Sequence, residues 1–277
     1  MTSTVQKWRR RWARLVATLP SSLVDEVPRD RSESDAALLR RRRVVGGVSL
    51  AGAGLLGTSL STKPGSPQFY GLTLAVAATW IVGGLGSGPL HTGGIQHRDH
   101  TFRRPVLTPV LTGVGAFAGF YVCALAAQHV PVLNRAISRV LQYAHQGSSP
   151  LVLLTTLANG AAEEVVFRGA LYSAIGGRHP VAVSTAVYTL ATIATRNPAL
   201  VLASASMGTL FGLQRRATGG VQAPLLTHLT WSTLMVQFLP PLFSAGASSA
   251  AKYSGDAQAS ECETGGSRLR IRPPRSS

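Results

Sequence analysis

Residues 159–172 read Asn-Gly-Ala-Ala-Glu-Glu-Val-Val-Phe-Arg-Gly-Ala-Leu-Tyr, which places two carboxylates and a guanidinium inside a strongly apolar stretch. Glu163 and Glu164 are the only acidic residues between positions 100 and 255. The surrounding apolar run, residues 150–175, is long enough to cross a bilayer as a helix. Because ionisable groups at membrane depth are costly, the stretch is predicted to be a functional part of a membrane span.

The composition of the whole chain indicates a membrane protein. The 277 residues are 45% hydrophobic and only 14% charged, and the mean hydropathy is +0.19. A formal net charge of +16 could suggest a nucleic-acid partner, but the basic residues are concentrated at the two ends and in short loops between apolar blocks. Lys and Arg in such positions are typical of membrane proteins. We therefore expect a lipid bilayer as the surroundings and no nucleic-acid partner.

Seven apolar segments are each predicted to form a helix. They lie at about 44–62, 69–90, 106–130, 150–176, 180–195, 198–214 and 220–243. A spanning helix needs about 20 apolar residues, so the fifth and sixth segments are short and the pattern is compatible with six to eight spans. The predicted fold class is all-α, a polytopic transmembrane helical bundle of about seven spans.

Three regions follow from this division of the chain. Residues 1–43 are a basic segment, residues 44–245 the transmembrane domain, and residues 246–277 a basic tail whose Ser, Gly and Ala content predicts disorder. Trp and Leu at helical spacing in the first region favour an interfacial amphipathic helix, with a solvated basic tail as an equal alternative. The run Arg40 to Arg43 predicts a cytoplasmic N-terminus. With the N-terminus in the cytoplasm, seven spans would place the basic C-terminal tail on the outer side of the membrane. This conflicts with the rule that basic residues concentrate on the cytoplasmic side.

Two further patterns concern how the helices pack. Residues 132–145 carry apolar and basic side chains at helical spacing and are predicted to form an amphipathic helix on the membrane surface. Small residues at four-residue spacing let helix backbones approach closely, and we favour packing within the chain over a dimer contact. These spacings occur at Gly84/Gly88, Gly115/Gly119 and Gly208/Gly212.

The charged stretch separates into a pair and a single carboxylate. On an α-helix Glu164 and Arg168 lie four residues apart on one face and can neutralise each other. Glu163 is rotated by about 100° from its neighbour. It lacks a local counter-charge, so it is a candidate general base. A buried ion-pair cluster that fixes helix register or lines a transport path is the alternative.

A partner for the single carboxylate must come from another helix. His228 is the one histidine inside the later apolar segments, and Ser232 follows it by one helical turn. An imidazole at membrane depth can hold a water, share a proton or donate to a developing oxyanion. A histidine that merely bonds a neighbouring helix is the alternative.

Residues 163–172 closely resemble the Glu-Glu-x-x-x-Arg signature of the CAAX protease and bacteriocin-processing family, also called the Abi family, of intramembrane glutamic endopeptidases. Residues 219–232 resemble that family's later His-x-x-x-Asn motif. The resemblance covers about residues 150–240, with the motifs in matching order and spacing. It implies a helical membrane fold with an active-site cavity inside the bilayer, located in the cell membrane of a bacterium.

The resemblance also implies roles for individual residues. Glu163 would activate water, Glu164 and Arg168 would order the site, and His228 would help to bind the substrate or to stabilise the oxyanion. The substrate would be a peptide or membrane protein. We expect neither a cofactor nor a metal, since one histidine and two carboxylates make a poor zinc site.

Two positions depart from the family pattern. The middle motif, Phe-x-x-x-His, aligns with Tyr188-Thr-Leu-Ala-Thr192, so Thr192 stands where the family has a histidine. Its hydroxyl cannot take a proton at neutral pH but can still hold a water. Ser232 exchanges the amide of the last motif for a hydroxyl. We therefore predict an intramembrane endopeptidase, with a non-catalytic immunity or scaffold protein as the alternative and a transporter third.

Overall fold

The computed structural model describes residues 33–96, 102–176 and 179–265, with side chains described over 33–94, 104–176 and 179–243. The amphipathic helix expected near the N-terminus lies outside the described residues. Apolar helices account for almost all of the described backbone, because a segment surrounded by lipid must satisfy its backbone hydrogen bonds internally.

The helices follow the apolar segments closely. They are α1 (Asp35–Ser59), α2 (Pro67–Gly86), α3 (Leu107–Ala127), α4 (Pro131–Gln146), α5 (Ser149–Glu163), a π-helical segment (Glu164–Leu171), α6 (Tyr172–Ile175), α7 (Pro180–Ile193), α8 (Pro198–Thr218) and α9 (Gln222–Gly265). Between α2 and α3 two short strands, β1 (Ile95–Gln96) and β2 (Phe102–Arg103), pair antiparallel. The all-α prediction is therefore confirmed, and the amphipathic segment expected at 132–145 is helical as α4.

Local sequence explains where several helices begin. Proline opens α2, α4, α5, α7 and α8 at the first or second position, where its missing N–H costs nothing. The Ser66 side chain accepts from the backbone N–H of Phe69 at the start of α2. Asn197 caps α8 in the same way, and its amide also donates to the Ala136 carbonyl of α4 at 2.8 Å. These caps satisfy N–H groups that the helix itself leaves unpaired.

Basic residues join several helix ends at one end of the bundle. Arg40 donates to the Gly86 carbonyl at 3.2 Å, and Arg42 donates to the Ala174 carbonyl at 2.9 Å. The start of α1 thus lies beside the ends of α2 and α6. Cations at helix C-termini satisfy free carbonyls and oppose the helix dipole.

Other contacts define the opposite end of the bundle. The Tyr143 hydroxyl of α4 donates to the carbonyls of Leu60 and Thr62 just after α1. The Gln128 amide, just after α3, donates to the Leu242 carbonyl in α9 at 2.8 Å. The end of α1 therefore lies beside α4, and the end of α3 lies beside α9.

Among the described residues, three helical segments are long and apolar enough to cross a membrane: Pro67–Gly86, Leu107–Ala127 and Ser149–Ile175. Pro180–Ile193 is apolar but shorter. The number of membrane crossings, predicted as about seven, stays a prediction. The backbone of α9 is helical to Gly265, past the predicted domain limit at 245.

The predicted glycine contacts differ among the three pairs. A Cβ at Gly208 would lie 3.1 Å from Thr185 Cγ2, and one at Gly212 would lie 2.9 Å from Val181 Cγ1, so this pair packs α8 against α7 within the chain. Gly84 packs in the same way against the π-helical segment. The prediction is wrong for Gly115/Gly119, where nothing lies within 4 Å, because that face of α3 points away from the bundle.

Candidate active site

The helix that carries the charged stretch changes from α-helical to π-helical hydrogen bonding. The α5 helix ends at Glu163, and the π-helical segment begins at Glu164 and ends at Leu171. Such wider turns are rare and are often found at functional sites. Residue spacing predicts a continuous α-helix here, because spacing alone does not reveal a change in hydrogen-bonding pattern. The segment lies near the middle of the Ser149–Ile175 span.

Glu164 is the centre of a buried charge cluster. Its side chain is fully buried, and its Oε1 atom lies 3.4 Å from Arg168 Nη1. The same oxygen is 2.9 Å from Nδ1 of His228, which comes from α9. The pairing predicted for Glu164 and Arg168 is therefore present, but the imidazole also binds this carboxylate. Glu164 orients His228 and fixes which nitrogen faces the remaining space.

Glu163 lies next to this cluster and has different partners. The Tyr188 hydroxyl of α7 donates to Glu163 Oε2 at 2.5 Å. His228 Nε2 lies 3.9 Å from the same oxygen, too far for a direct hydrogen bond. The Glu163 side chain retains 14% exposure, so it is not sealed in packing. The hydrogen-bond partner of Glu163 from another helix is therefore Tyr188. His228 faces the same oxygen but does not bind it directly.

Packing holds the imidazole of His228 in place. Its ring stacks on Phe211 of α8 with centroids 4.7 Å apart and an interplanar angle of 23°. Gly160, one turn before Glu164, leaves room for the ring, since a Cβ there would lie 3.4 Å from His228 Nε2. Elements α5, α8 and α9 therefore converge on this side chain.

Arg168 is held by aromatic rings and backbone. Its guanidinium lies 4.6 Å from the Tyr188 ring centroid and 5.1 Å from that of Phe211, an arrangement that stabilises a desolvated cation. Its Nη2 donates to the Gly208 carbonyl at 3.2 Å. Its own carbonyl accepts from Nε of Arg215 at 2.7 Å. Arg215 is buried and was not among the predicted site residues.

Two of the predicted site residues lie apart from this cluster. The Thr192 hydroxyl donates to the Tyr188 carbonyl at 2.9 Å, one turn back along α7, so its proton is already used and it makes no hydrogen bond to Glu163. Ser232 is buried. Among the described contacts, its hydroxyl has no hydrogen bond to Glu163, Glu164, Arg168 or His228. The structure therefore brings together four of the six residues.

Tyr188 is the residue that sequence reasoning missed. It aligns with the phenylalanine of the middle motif, whereas Thr192 aligns with the histidine and was therefore the predicted site residue. The available signal was chemical, because a tyrosine in that place adds a hydroxyl that phenylalanine lacks. Only the packing of α7 against the π-helical segment shows that this hydroxyl reaches Glu163.

An apolar cavity opens close to the cluster. It has a volume of about 320 Å³ and lies between α5 and α9, lined by Leu157, Leu229, Thr230, Thr233 and Leu234. None of the six predicted site residues lines it. Leu229 follows His228 in the sequence, but neighbouring residues on a helix point in directions about 100° apart, so the cavity and the imidazole lie on different faces of α9. As for metals, the described residues contain no group of three or more His, Cys, Asp or Glu side chains that could hold an ion.

The fold and this cluster define a helical membrane protein with a carboxylate and imidazole site inside its bundle. Residues 145–234 match the family model for type II CAAX prenyl endopeptidase Rce1-like proteins. The matched segment includes all six predicted site residues, and the resemblance to the CAAX protease family is confirmed. No curated protein and no solved structure gave a match.

Proposed function

We propose that the protein is an intramembrane endopeptidase that hydrolyses a peptide bond of a membrane-associated substrate with water activated by Glu163. The observation that supports this most is the 3.9 Å gap between Glu163 Oε2 and His228 Nε2. A water beside the gap could contact both groups, whose orientations are set by Tyr188 and Glu164. The Rce1-like domain supports a protease at the level of the family.

The charges of the site balance in the proposed resting state. Glu163 and Glu164 contribute two negative charges, and Arg168 with a doubly protonated His228 contributes two positive charges. A buried cluster with no net charge avoids most of the cost of desolvating an isolated ion. In this state the imidazole donates from Nδ1 to Glu164 and presents an Nε2–H towards the reacting atoms.

The reaction follows from these positions. Glu163 accepts a proton from water as the water oxygen forms a bond to the carbonyl carbon of the substrate. The Nε2–H of His228 donates to the resulting oxyanion, as a fixed hydrogen-bond donor in a site from which most water is excluded. The carbon–nitrogen bond then breaks, and Glu163 returns its proton to the leaving amine. The products are one carboxylic acid and one amine.

The substrate class is proposed from the family and from the surroundings of the site. The family model is described as a CAAX prenyl endopeptidase, and a site carried by the apolar Ser149–Ile175 span suits a lipid-anchored or apolar peptide better than a soluble one. A prenylated Cys-aliphatic-aliphatic-X peptide is therefore the first probe, followed by a library of apolar membrane peptides.

The test compares the wild-type protein with Glu163→Gln, both reconstituted in liposomes with these peptides, by mass spectrometry of the products. Glutamine preserves the size of the side chain but cannot serve as the base. We expect product from wild type and at least a thousandfold less from the variant, because the substitution removes both a general base and a charged group from the site. Equal product from both would remove Glu163 as the catalyst.

A non-catalytic relative is the second candidate, and one observation favours it. The hydroxyl of Thr192 is committed to the Tyr188 carbonyl, so this position supplies no second proton-accepting group. A scaffold or immunity protein would require the cluster only as structure. Wild-type protein that cleaves neither the prenylated peptide nor the library above the level of empty liposomes would favour this candidate.

We further propose that the N-terminus is cytoplasmic in a bacterial cell membrane. Arg40 and Arg42 lie at the end of the bundle where α8 ends with Arg215 and Arg216, and cations concentrate on the cytoplasmic side. Labelling of single cysteines introduced after Ser34 and at Lys63 with a membrane-impermeant reagent tests this orientation. Labelling of the first site in intact cells would contradict it.

A further inference from the structure

Tyr188 occupies a position where its ring has little freedom. The ring lies 4.9 Å from that of Phe167 between centroids, and the Arg168 guanidinium covers it at 4.6 Å. On another side Gly208 of α8 leaves only enough room for the ring, since a Cβ there would lie 3.2 Å from Tyr188 Cδ1. Two elements, the π-helical segment and α8, therefore fix the ring, and the direction of its hydroxyl with it.

That hydroxyl is directed at one atom. It donates to Glu163 Oε2 at 2.5 Å, its only hydrogen bond among the described contacts. Oε2 is also the oxygen that lies 3.9 Å from His228 Nε2. Tyr188 therefore binds the oxygen next to the proposed water position and limits rotation of the carboxylate about its last bond.

The chain offers Glu163 little other support. Glu164 is engaged with Arg168 and His228, and Thr192 donates to backbone. Ser232 makes no bond to it in the described part of the chain. A carboxylate whose orientation depends on one donor loses that orientation when the donor is removed.

We propose that Tyr188 is the positioning residue of Glu163, holding its carboxylate towards His228 so that the water between them is activated. This inference rests on the proposed function, with Glu163 as the base. It adds a residue that the sequence motifs left out, and it explains how the site could work although Thr192 supplies no imidazole.

The test is Tyr188→Phe, which removes the hydroxyl and preserves the ring. We expect kcat for the prenylated peptide to fall about tenfold to hundredfold, the effect of one hydrogen bond to a charged group. KM should change less than about twofold, because the variant keeps the ring and removes only the hydroxyl that binds Glu163. Tyr121→Phe is the matched control, since Tyr121 is partly buried in a separate cluster around Leu141 and Leu239. Its kcat should equal that of wild type.

A second readout separates positioning from general structure. In the Glu163→Gln background, Tyr188→Phe should lower the residual rate less than about twofold, because residues that act as a unit are not additive. Two results would overturn the proposal. One is that Tyr188→Phe lowers the cleavage rate by the same factor in the wild-type and Glu163→Gln backgrounds. The other is that Tyr188→Phe alone has the kcat and the Tm of wild type.

Infrared spectroscopy tests the contact without cleavage. The carboxylate band of Glu163 is identified as the band that Glu163→Gln removes. We expect Tyr188→Phe to shift this band and Tyr121→Phe to leave it unchanged. If wild type cleaves no peptide, the proposed function fails on that result alone. An unshifted band would refute the hydrogen bond, and with it the positioning role, whether or not the protein is a protease.

Discussion

His228 Nδ1 lies 2.9 Å from Oε1 of Glu164, so the imidazole is bound to the second carboxylate of the motif, while its other nitrogen faces the first. Two adjacent glutamates thus have different surroundings. Glu164 is fully buried between Arg168 and His228, whereas Glu163 retains some exposure. Substitution of Glu164 should therefore lower stability, whereas substitution of Glu163 should lower the cleavage rate.

Glu164→Gln should destabilise the protein, and Glu163→Gln should not. Removing the charge of Glu164 leaves Arg168 without its ion-pair partner in a buried site, which costs about 3–5 kcal/mol. Thermal unfolding in detergent would show a clearly lower Tm for Glu164→Gln and a Tm near that of wild type for Glu163→Gln. Equal melting temperatures for the two variants would contradict the separate roles.

Gly113→Ala should disturb the site through α9. A Cβ at Gly113 would lie 2.8 Å from Thr230 Cβ and 2.9 Å from the Thr227 carbonyl, close to His228 in the chain. Overpacking of this kind costs about 1–3 kcal/mol. Gly115→Ala on the same helix is the control, because nothing lies within 4 Å of it. The two variants should differ in Tm and in cleavage rate, and similar values would count against the packing of α3 on α9.

Arg215→Gln should weaken the π-helical segment. Nε of Arg215 donates to the Arg168 carbonyl at 2.7 Å, and its guanidinium lies 5.1 Å from the Tyr172 ring centroid. Loss of a hydrogen bond from a charged donor costs about 1.5–3 kcal/mol. Arg216→Gln, an exposed neighbour, should cost less than about 1 kcal/mol. Hydrogen exchange of residues 164–171 would be faster in Arg215→Gln, and unchanged exchange would contradict this bracing.

Arg41→Gln should be more harmful than Arg43→Gln, although both remove one charge from the same basic run. Arg41 is buried, is paired with Glu33, and donates to the Pro89 carbonyl at 3.1 Å, whereas Arg43 is exposed. Loss of hydrogen bonds from a buried charged donor costs about 1.5–3 kcal/mol. Yields of folded protein after membrane extraction and Tm values would show the difference. A larger effect at Arg43 would favour a role in topology over one in packing.

The sequence predicted the helical class and most of the cluster for identifiable reasons. Apolar blocks of spanning length mark helices because lipid leaves few alternatives, and Glu163 and Glu164 were conspicuous as the only acids in a long apolar region. His228 was found as the one histidine of the later segments. Ser232 was predicted from its spacing to His228 and from its place at the end of the later motif, and its hydroxyl makes no hydrogen bond to the carboxylates among the described contacts.

Other features depended on contacts that spacing does not encode. The Arg40 to Arg43 run was read as a topology signal, yet Arg40 and Arg42 also bind helix ends. The change to π-helical bonding at Glu164 was not expected either. Side-chain contacts across helices depend on rotation and crossing of the helices, which one sequence does not specify.

By itself, the sequence determined that this chain forms apolar helices with two carboxylates and an arginine inside one of them, because hydropathy and residue spacing are properties of a single segment. Only the tertiary structure decided that Glu164 binds His228, that Tyr188 rather than Thr192 reaches Glu163, and that Arg215 supports the Arg168 carbonyl. The physical reason is that each of these contacts joins two helices, and its geometry is set by how their surfaces pack.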